Sequence, residues 1–149
     1  MGKPRKIAGV AAAAVATGAA ALFAAPATAQ ASPAPCGGET AACIDLSANQ
    51  AWIMDKNGHV TYGAVPITSG RPGYETPAGS FRVIWEDVDH WSQAYNGPMP
   101  YSVFFTDSGI AFHEGSLSVP SHGCVHLSPA AARKFFHTLE PGNVVTVVP

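Results

Sequence analysis

One cysteine and three histidines are crowded together in residues 112–127: His113, His122, Cys124 and His126. A cysteine acts as a nucleophile when a nearby base or cation raises its thiolate fraction, and an imidazole within hydrogen-bond reach does this. Gly123, directly before the thiol, would let backbone amides approach a substrate carbonyl closely, as an oxyanion site requires. The pattern therefore predicts that Cys124 is a nucleophile with a histidine as its base.

The cluster leaves two alternatives open. In a strand, His122, Cys124 and His126 would share one face, so His122 competes with His113 for the role of base. The four side chains could instead form a structural or catalytic zinc site. Their spacing does not match the usual paired-ligand patterns, so we expect no metal.

The other two cysteines, Cys36 and Cys43, are close together in the segment CGGETAAC. In an oxidising compartment this pair is predicted to form a disulfide, with two free thiols as the alternative. A loop this short would contribute on the order of 2–3 kcal/mol. The pairing leaves Cys124 as the odd thiol, which in an exported protein indicates intermolecular pairing, metal binding or chemistry.

The N-terminus predicts export. Lys3, Arg5 and Lys6 precede a long uncharged stretch rich in alanine, which ends in small residues typical of a cleavage site. We expect residues 1–31 to be a signal peptide cleaved near residues 29–31, rather than a membrane anchor. Cleavage leaves five basic and ten acidic residues, a net charge of −5. The mature chain is therefore expected to be secreted, without stable membrane insertion, and to be a poor nucleic-acid binder.

The remaining sequence predicts a mainly β fold: a β-sandwich or mixed sheet with one helix packed on it. The helix is predicted from Pro129 to Leu139, with Ser128 as its N-cap. Residues 86–100 are predicted to be a long irregular stretch, in which Trp91 and Tyr95 could form a lid. The predicted strands are residues 43–47, 51–55, 60–65, 80–85, 101–106, 109–112 and 144–148.

Four segments carry further motifs, in this order: residues 44–53 (IDLSANQAWI), 65–70 (VPITSG), 76–81 (TPAGSF) and 121–125 (SHGCV). Together they resemble the L,D-transpeptidase (YkuD-type) catalytic domain family, in which a short loop separates an upstream histidine from SHGC, as it does after His113. The resemblance implies a YkuD-like domain over residues 44–149, preceded by a short N-terminal segment, residues 32–43.

The resemblance also implies roles for individual residues. Cys124 would be the nucleophile and His113 its base, with the backbone amides of Gly123 and Cys124 holding the oxyanion. The backbone carbonyl of Glu114 would orient the His113 imidazole. The supporting residues would be Ser121 and His122, together with Tyr101, whose hydroxyl would lie near the oxyanion.

The chemistry that the resemblance implies is cell-wall cross-linking without a cofactor. Cys124 would form a thioester with the tetrapeptide stem of peptidoglycan, and an amine of a second stem would resolve it to a 3→3 cross-link. Carbapenem-type inhibitors would acylate the same thiol. The alternatives are an L,D-carboxypeptidase that uses water as the acceptor, and a non-catalytic wall-binding module of the same fold.

The sequence departs from the family pattern at two positions. Glu114 follows the base histidine where the family usually has glycine, and Gly115 comes one residue later. His126 stands where many members carry arginine, which is permanently charged and grips carboxylates bidentately. We expect Glu114 to disfavour the thiolate or alter substrate preference, and His126 either to pack or to mark different substrate contacts.

Overall fold

The computed structural model describes residues 33–149, so the predicted signal peptide, residues 1–31, lies outside the described residues. In chain order the elements are β1 (Thr40–Asp45), β2 (Gln50–Met54), β3 (Val60–Pro66), β4 (Gly79–Arg82), β5 (Trp85–Ser92), β6 (Gly97–Phe104), β7 (Ala111–Glu114), β8 (Val125–Leu127), α1 (Pro129–Thr138) and β9 (Val144–Val148). None of the helical structure within residues 33–149 has the length and apolar character needed to cross a membrane.

The strands form two mixed sheets. The first has the order β3-β2-β1-β9-β4, in which β1 and β9 pair in parallel and the other neighbours pair antiparallel. The second has the order β5-β6-β7-β8, in which β7 and β8 pair in parallel and the other neighbours pair antiparallel. The predicted mainly β fold with one helix is confirmed over the described residues.

A continuous apolar core joins both sheets to the helix. Phe112 of β7 packs against Phe105 and against Phe135 of α1, with 5.0 Å between ring centroids in each pair. These three rings are almost completely buried. Because Phe112 faces this core, the next residue of the strand, His113, projects from the opposite face of the sheet.

The helix begins and ends as its sequence predicts. The side chain of Ser128 accepts a hydrogen bond from the Ala131 amide at 3.2 Å, and Pro129 occupies the first helical position, where its missing N–H is not needed. Leu139, the predicted last residue, is the C-cap, and its amide donates to the Phe135 carbonyl. The helix therefore packs its Phe135 side beneath the strands that carry the histidine–cysteine cluster.

The prediction of an irregular stretch over residues 86–100 is wrong, because β5 and β6 form a long hairpin there. Its antiparallel pairing begins where Trp85 lies opposite Phe104 and ends where Ser92 lies opposite Gly97. Asn96, at the turn, has a φ of 49°, which asparagine tolerates better than most residues. The hairpin exposes residues on both faces, so the apolar–polar alternation that identifies a half-buried strand is absent.

The predicted disulfide is confirmed: Cys36 and Cys43 are bonded, with 5.8 Å between their Cα atoms. Cys43 lies in β1 and packs with Trp52 and Met54 in a small cluster on the first sheet. The bond ties the segment before β1 to this sheet. It also leaves Cys124 as the free cysteine of the chain.

Candidate active site

The loop that carries Cys124 is shaped by its own side chains. The Ser121 hydroxyl accepts a hydrogen bond from the Gly123 amide at 2.9 Å and donates to the Cys124 carbonyl. Gly123 has a φ of 122°, a conformation that residues with a Cβ rarely adopt. Ser121 therefore supports the loop, and the Gly123 N–H is bonded within the loop itself.

Thr76 fixes this loop from outside. Its hydroxyl donates to the Gly123 carbonyl at 2.7 Å and accepts from the Gly70 amide at 3.0 Å. Gly70 is required there because a Cβ would collide with the carbonyl oxygen of Tyr74. The sequence identified the segment around Thr76 as a motif, but no local pattern shows that it hydrogen-bonds to a loop 47 residues later.

His113 is buried on β7, next to the Cys124 loop. β7 and β8 pair in parallel, with His113 opposite His126, so residue 124 lies beside the start of β7. The His113 Nδ1 is 2.7 Å from the Glu114 carbonyl oxygen, which can only accept. The imidazole therefore carries its proton on Nδ1 and has its lone pair on Nε2, as a base requires. This is the contact that the family resemblance assigned to Glu114.

Burial favours the neutral forms of His113 and Cys124. It lowers the pKa of His113 to about 4, although the hydrogen bond to Glu114 opposes the shift. Burial also raises the pKa of the Cys124 thiol, against a smaller opposite effect of the Ala111 backbone. The resting pair is therefore a thiol and a neutral imidazole rather than a thiolate–imidazolium pair. Such a pair can react when the imidazole removes the thiol proton as the sulfur attacks.

Two cavities meet at Cys124. The smaller one, about 180 Å³, is lined by Cys124 and His113 together with His122 and His126. The larger one, about 530 Å³, extends from Cys124 beneath the β5–β6 hairpin. The two share Ser92, Tyr95 and Met99 as a common wall. The predicted nucleophile and base thus line one space, and Cys124 borders both cavities.

The remaining predicted residues lie in different places. The exposed His122 ring stacks on Tyr95 with 4.1 Å between centroids, and this contact links the tip of the hairpin to the Cys124 loop. The same ring meets Tyr74 edge-on with 5.0 Å between centroids. Tyr101 lies on the helix side of its sheet, where its ring packs against Phe136 and its hydroxyl accepts from Arg133. The structure does not bring Tyr101 to Cys124, and Tyr101 lines neither cavity.

His126 is held by hydrogen bonds beside the base. Its Nδ1 donates to the Ser116 carbonyl at 2.9 Å, and the Thr68 hydroxyl donates to the same oxygen at 2.6 Å. Its ring meets His113 edge-on at 4.9 Å and covers Gly115, where a Cβ would lie 2.6 Å from the ring.

As for the zinc alternative, no three His, Cys, Asp or Glu side chains in residues 33–149 are grouped so as to hold a metal ion.

Replacing Thr76 with valine should destabilise the protein. The substitution keeps the shape but leaves the Gly123 carbonyl and the Gly70 amide without their partner, so we expect a loss of about 1–3 kcal/mol in the free energy of unfolding. Urea denaturation at neutral pH measures it. Thr76→Ser, which keeps the hydroxyl, is the matched control and should retain most of the stability. Equal denaturation midpoints for Thr76→Val and wild type would show that these hydrogen bonds make no net contribution to the free energy of unfolding.

The buried neutral imidazole should make stability depend on pH. The unfolded chain binds a proton at His113 near its ordinary pKa of 6.5, whereas the folded chain does so only near 4. Stability is therefore lost as pH falls from about 6.5 to about 4, by roughly 3 kcal/mol from this group. His113→Gln should lack this pH-dependent loss of stability, because glutamine does not titrate. Between pH 7 and pH 4 the denaturation midpoint should fall further for the wild type than for His113→Gln, and parallel curves would contradict the assignment.

Comparison with known proteins matches the chain to a family. Residues 39–147 match the family model YkuD, the L,D-transpeptidase catalytic domain. L,D-transpeptidase 1 of Mycobacterium tuberculosis is 30% identical over 116 residues, which cover 65% of this chain and 46% of that protein. The chain spans less than half the length of the curated relatives it matches.

Solved structures show the same fold. The L,D-transpeptidase (Yku) of Stackebrandtia nassauensis aligns with a TM-score of 0.69 at 26% identity, covering 80% of this chain and 59% of that one. The L,D-transpeptidase LdtMt1 in complex with imipenem aligns with a TM-score of 0.65 at 27% identity, covering 70% of this chain and 56% of that one. Since the family model covers most of the described residues, the chain belongs to the YkuD family of L,D-transpeptidase catalytic domains.

Proposed function

We propose that this protein is an exported L,D-transpeptidase that acts on peptidoglycan stems through a thioester at Cys124. The observation that carries the proposal is the pairing, in one cavity, of the free thiol with the neutral His113 imidazole, whose Nδ1 is held by the Glu114 carbonyl. Family membership supports the reaction class. The Cys36–Cys43 disulfide supports an oxidising, extracytoplasmic location, in keeping with the predicted signal peptide.

The first half-reaction acylates the enzyme. Nε2 of His113 takes the thiol proton as Sγ of Cys124 bonds to the carbonyl carbon of the third stem residue. The tetrahedral intermediate collapses, the bond to the terminal D-Ala breaks, and the imidazolium returns the proton to the leaving amine. In the second half-reaction an amine of another stem attacks the thioester and loses its proton to His113, which restores the thiol.

The oxyanion requires donors at the Cys124 loop. Two hydrogen bonds position the Cys124 amide. The Ser121 hydroxyl donates to the Cys124 carbonyl, and the Thr76 hydroxyl donates to the Gly123 carbonyl. The Gly123 amide already donates to Ser121, so it contributes only when that hydrogen bond lengthens or bifurcates. We therefore assign the main oxyanion contact to the Cys124 N–H.

The two cavities fit a reaction with two substrates. The acyl donor becomes bonded to Sγ of Cys124, and the acceptor amine must then reach the carbonyl carbon of that thioester while the acyl chain still occupies its own space. Cys124 borders both cavities. Tyr95 and Met99 belong to the wall that both cavities share. This arrangement favours transfer to an amine over simple hydrolysis, because it provides separate space for a second stem.

Incubation with a defined tetrapeptide muropeptide tests the reaction. The wild type should release D-Ala and form a dimer with a 3→3 link, identified by mass analysis. Cys124→Ala should form no product, and His113→Gln should lose at least about 100-fold in rate. His122→Gln should lose much less, and the exposed His59→Gln is the matched control. Activity in His113→Gln together with inactivity in His122→Gln would reverse the assignment of the base.

The product distinguishes the alternatives. A tripeptide without a dimer would indicate the carboxypeptidase, with water as the acceptor. Absence of any product would favour a non-catalytic wall-binding module.

Imipenem provides an independent test of the thiol. We expect the wild type to gain the mass of one inhibitor molecule and Cys124→Ala to gain none, because the β-lactam carbonyl should acylate the same sulfur. Intact-protein mass spectrometry measures this without a peptidoglycan substrate. An unmodified wild type would contradict the assignment of Cys124 as an accessible nucleophile.

A further inference from the structure

The larger cavity continues away from Cys124 into a groove bordered by exposed aromatic rings. We call it the aromatic groove and define it by Trp85, Trp91 and Tyr95 of the hairpin. Their exposures are 43%, 48% and 56%, high for side chains of this size. All three line the cavity that begins at Cys124. Exposed apolar surface rimmed by polar groups marks a binding surface more often than chance exposure does.

Trp85 packs against two neighbouring rings at one end of this groove. Its ring stacks on Phe104 with 4.0 Å between centroids and 5° between planes. His90 meets the rings of both residues edge-on, and its Nδ1 is 3.1 Å from Asp87 Oδ2. The inner face of the indole is thus covered while much of the ring stays exposed. A flat apolar surface fixed in advance costs little conformational entropy to use in binding.

Polar side chains line the same groove. Gln93, Asp107 and Ser108 offer hydroxyl, amide and carboxylate groups. Since Nδ1 of His90 donates to Asp87, its Nε2 remains for a hydrogen bond to a ligand. A ligand that suits this wall has one flat apolar face and many hydroxyl groups at its edge. A pyranose ring has both, because its C–H groups form an apolar face and its hydroxyls lie around the rim.

We propose that the aromatic groove binds the sugar backbone of the glycan strand, with Trp85 as its stacking platform. The inference rests on the proposed function, since a stem whose third carbonyl lies at Cys124 is joined at its N-terminus to a sugar. Cys124 and Trp85 border the same cavity, so a ligand bonded to the thiol can extend towards the indole ring. The groove would hold the enzyme on its polymeric substrate and favour stems that are still attached to glycan.

The first test compares two donors. We expect kcat/KM to be higher, by about tenfold or more, for a disaccharide-tetrapeptide than for the free tetrapeptide, and the ratio to fall towards one in Trp85→Leu. Leucine still covers Phe104 but offers no flat ring. Val88→Ala, an exposed apolar change on the same strand outside the cavity, is the matched control and should keep the wild-type ratio. An equal ratio in wild type and Trp85→Leu would overturn the proposal.

The second test does not depend on turnover. Peptide-free glycan strands are titrated by calorimetry into the Cys124→Ala protein. The same titration is repeated with two groove variants on that background, Trp85→Leu and Trp91→Ala. Binding that weakens about tenfold in the groove variants supports the site, even if no transpeptidation is found. Absence of binding to the bare glycan, with normal turnover of tetrapeptides, would overturn the glycan site and leave the proposed function standing. Tight binding of a peptide stem without sugar, lost in Trp85→Leu, would also overturn it, because the groove would then be an acceptor-peptide site.

Discussion

The parallel pairing of β7 with β8 is the constraint on which the site depends. It sets His113 opposite His126 and so places the residue just before β8, Cys124, beside the start of β7. The face of β7 opposite His113 is buried by Phe112 against the helix, which fixes the strand in the core. A slip of one residue would exchange these two faces, burying the imidazole in the apolar core and moving Phe112 into the cavity. The position of the base is therefore tied to the stability of the fold.

The loop between these strands is held by hydrogen bonds that are distant in sequence. Thr76 bonds to the Gly123 carbonyl, and the backbone of residues 68–71 pairs with that of Ser121 and His126. Each bond satisfies a polar group that would otherwise be unpaired next to a low-dielectric cavity. The same surroundings keep His113 and Cys124 neutral at rest. In the proposed reaction, charge develops only as the thiol attacks, at a point where the nearby dipoles are already in place.

Local signals in the sequence predicted some of this structure well. The odd cysteine, the close Cys36–Cys43 pair and the Ser128-Pro129 helix start each depend on a few neighbouring residues, and the structure contains the disulfide and the helix as predicted. The β5–β6 hairpin was missed because its faces are both partly exposed and Pro98 and Pro100 lie within β6, which obscures a period of two. The roles of Thr76 and Tyr101 depend on which distant residues they meet, and no spacing along the chain encodes that.

One of the two departures from the family pattern, His126, is part of a tight packing arrangement. The His126 ring lies over residue 115 so closely that only glycine fits there. Its Nδ1 is fixed by the Ser116 carbonyl, which the Thr68 hydroxyl also contacts. With His126 on β8, residue 115 must therefore be glycine. Glu114 contacts His113 through its backbone carbonyl, which any residue would supply. The His126 ring therefore accounts for Gly115, whereas Glu114 in place of glycine has no structural explanation. Neither residue disturbs the contact that orients His113.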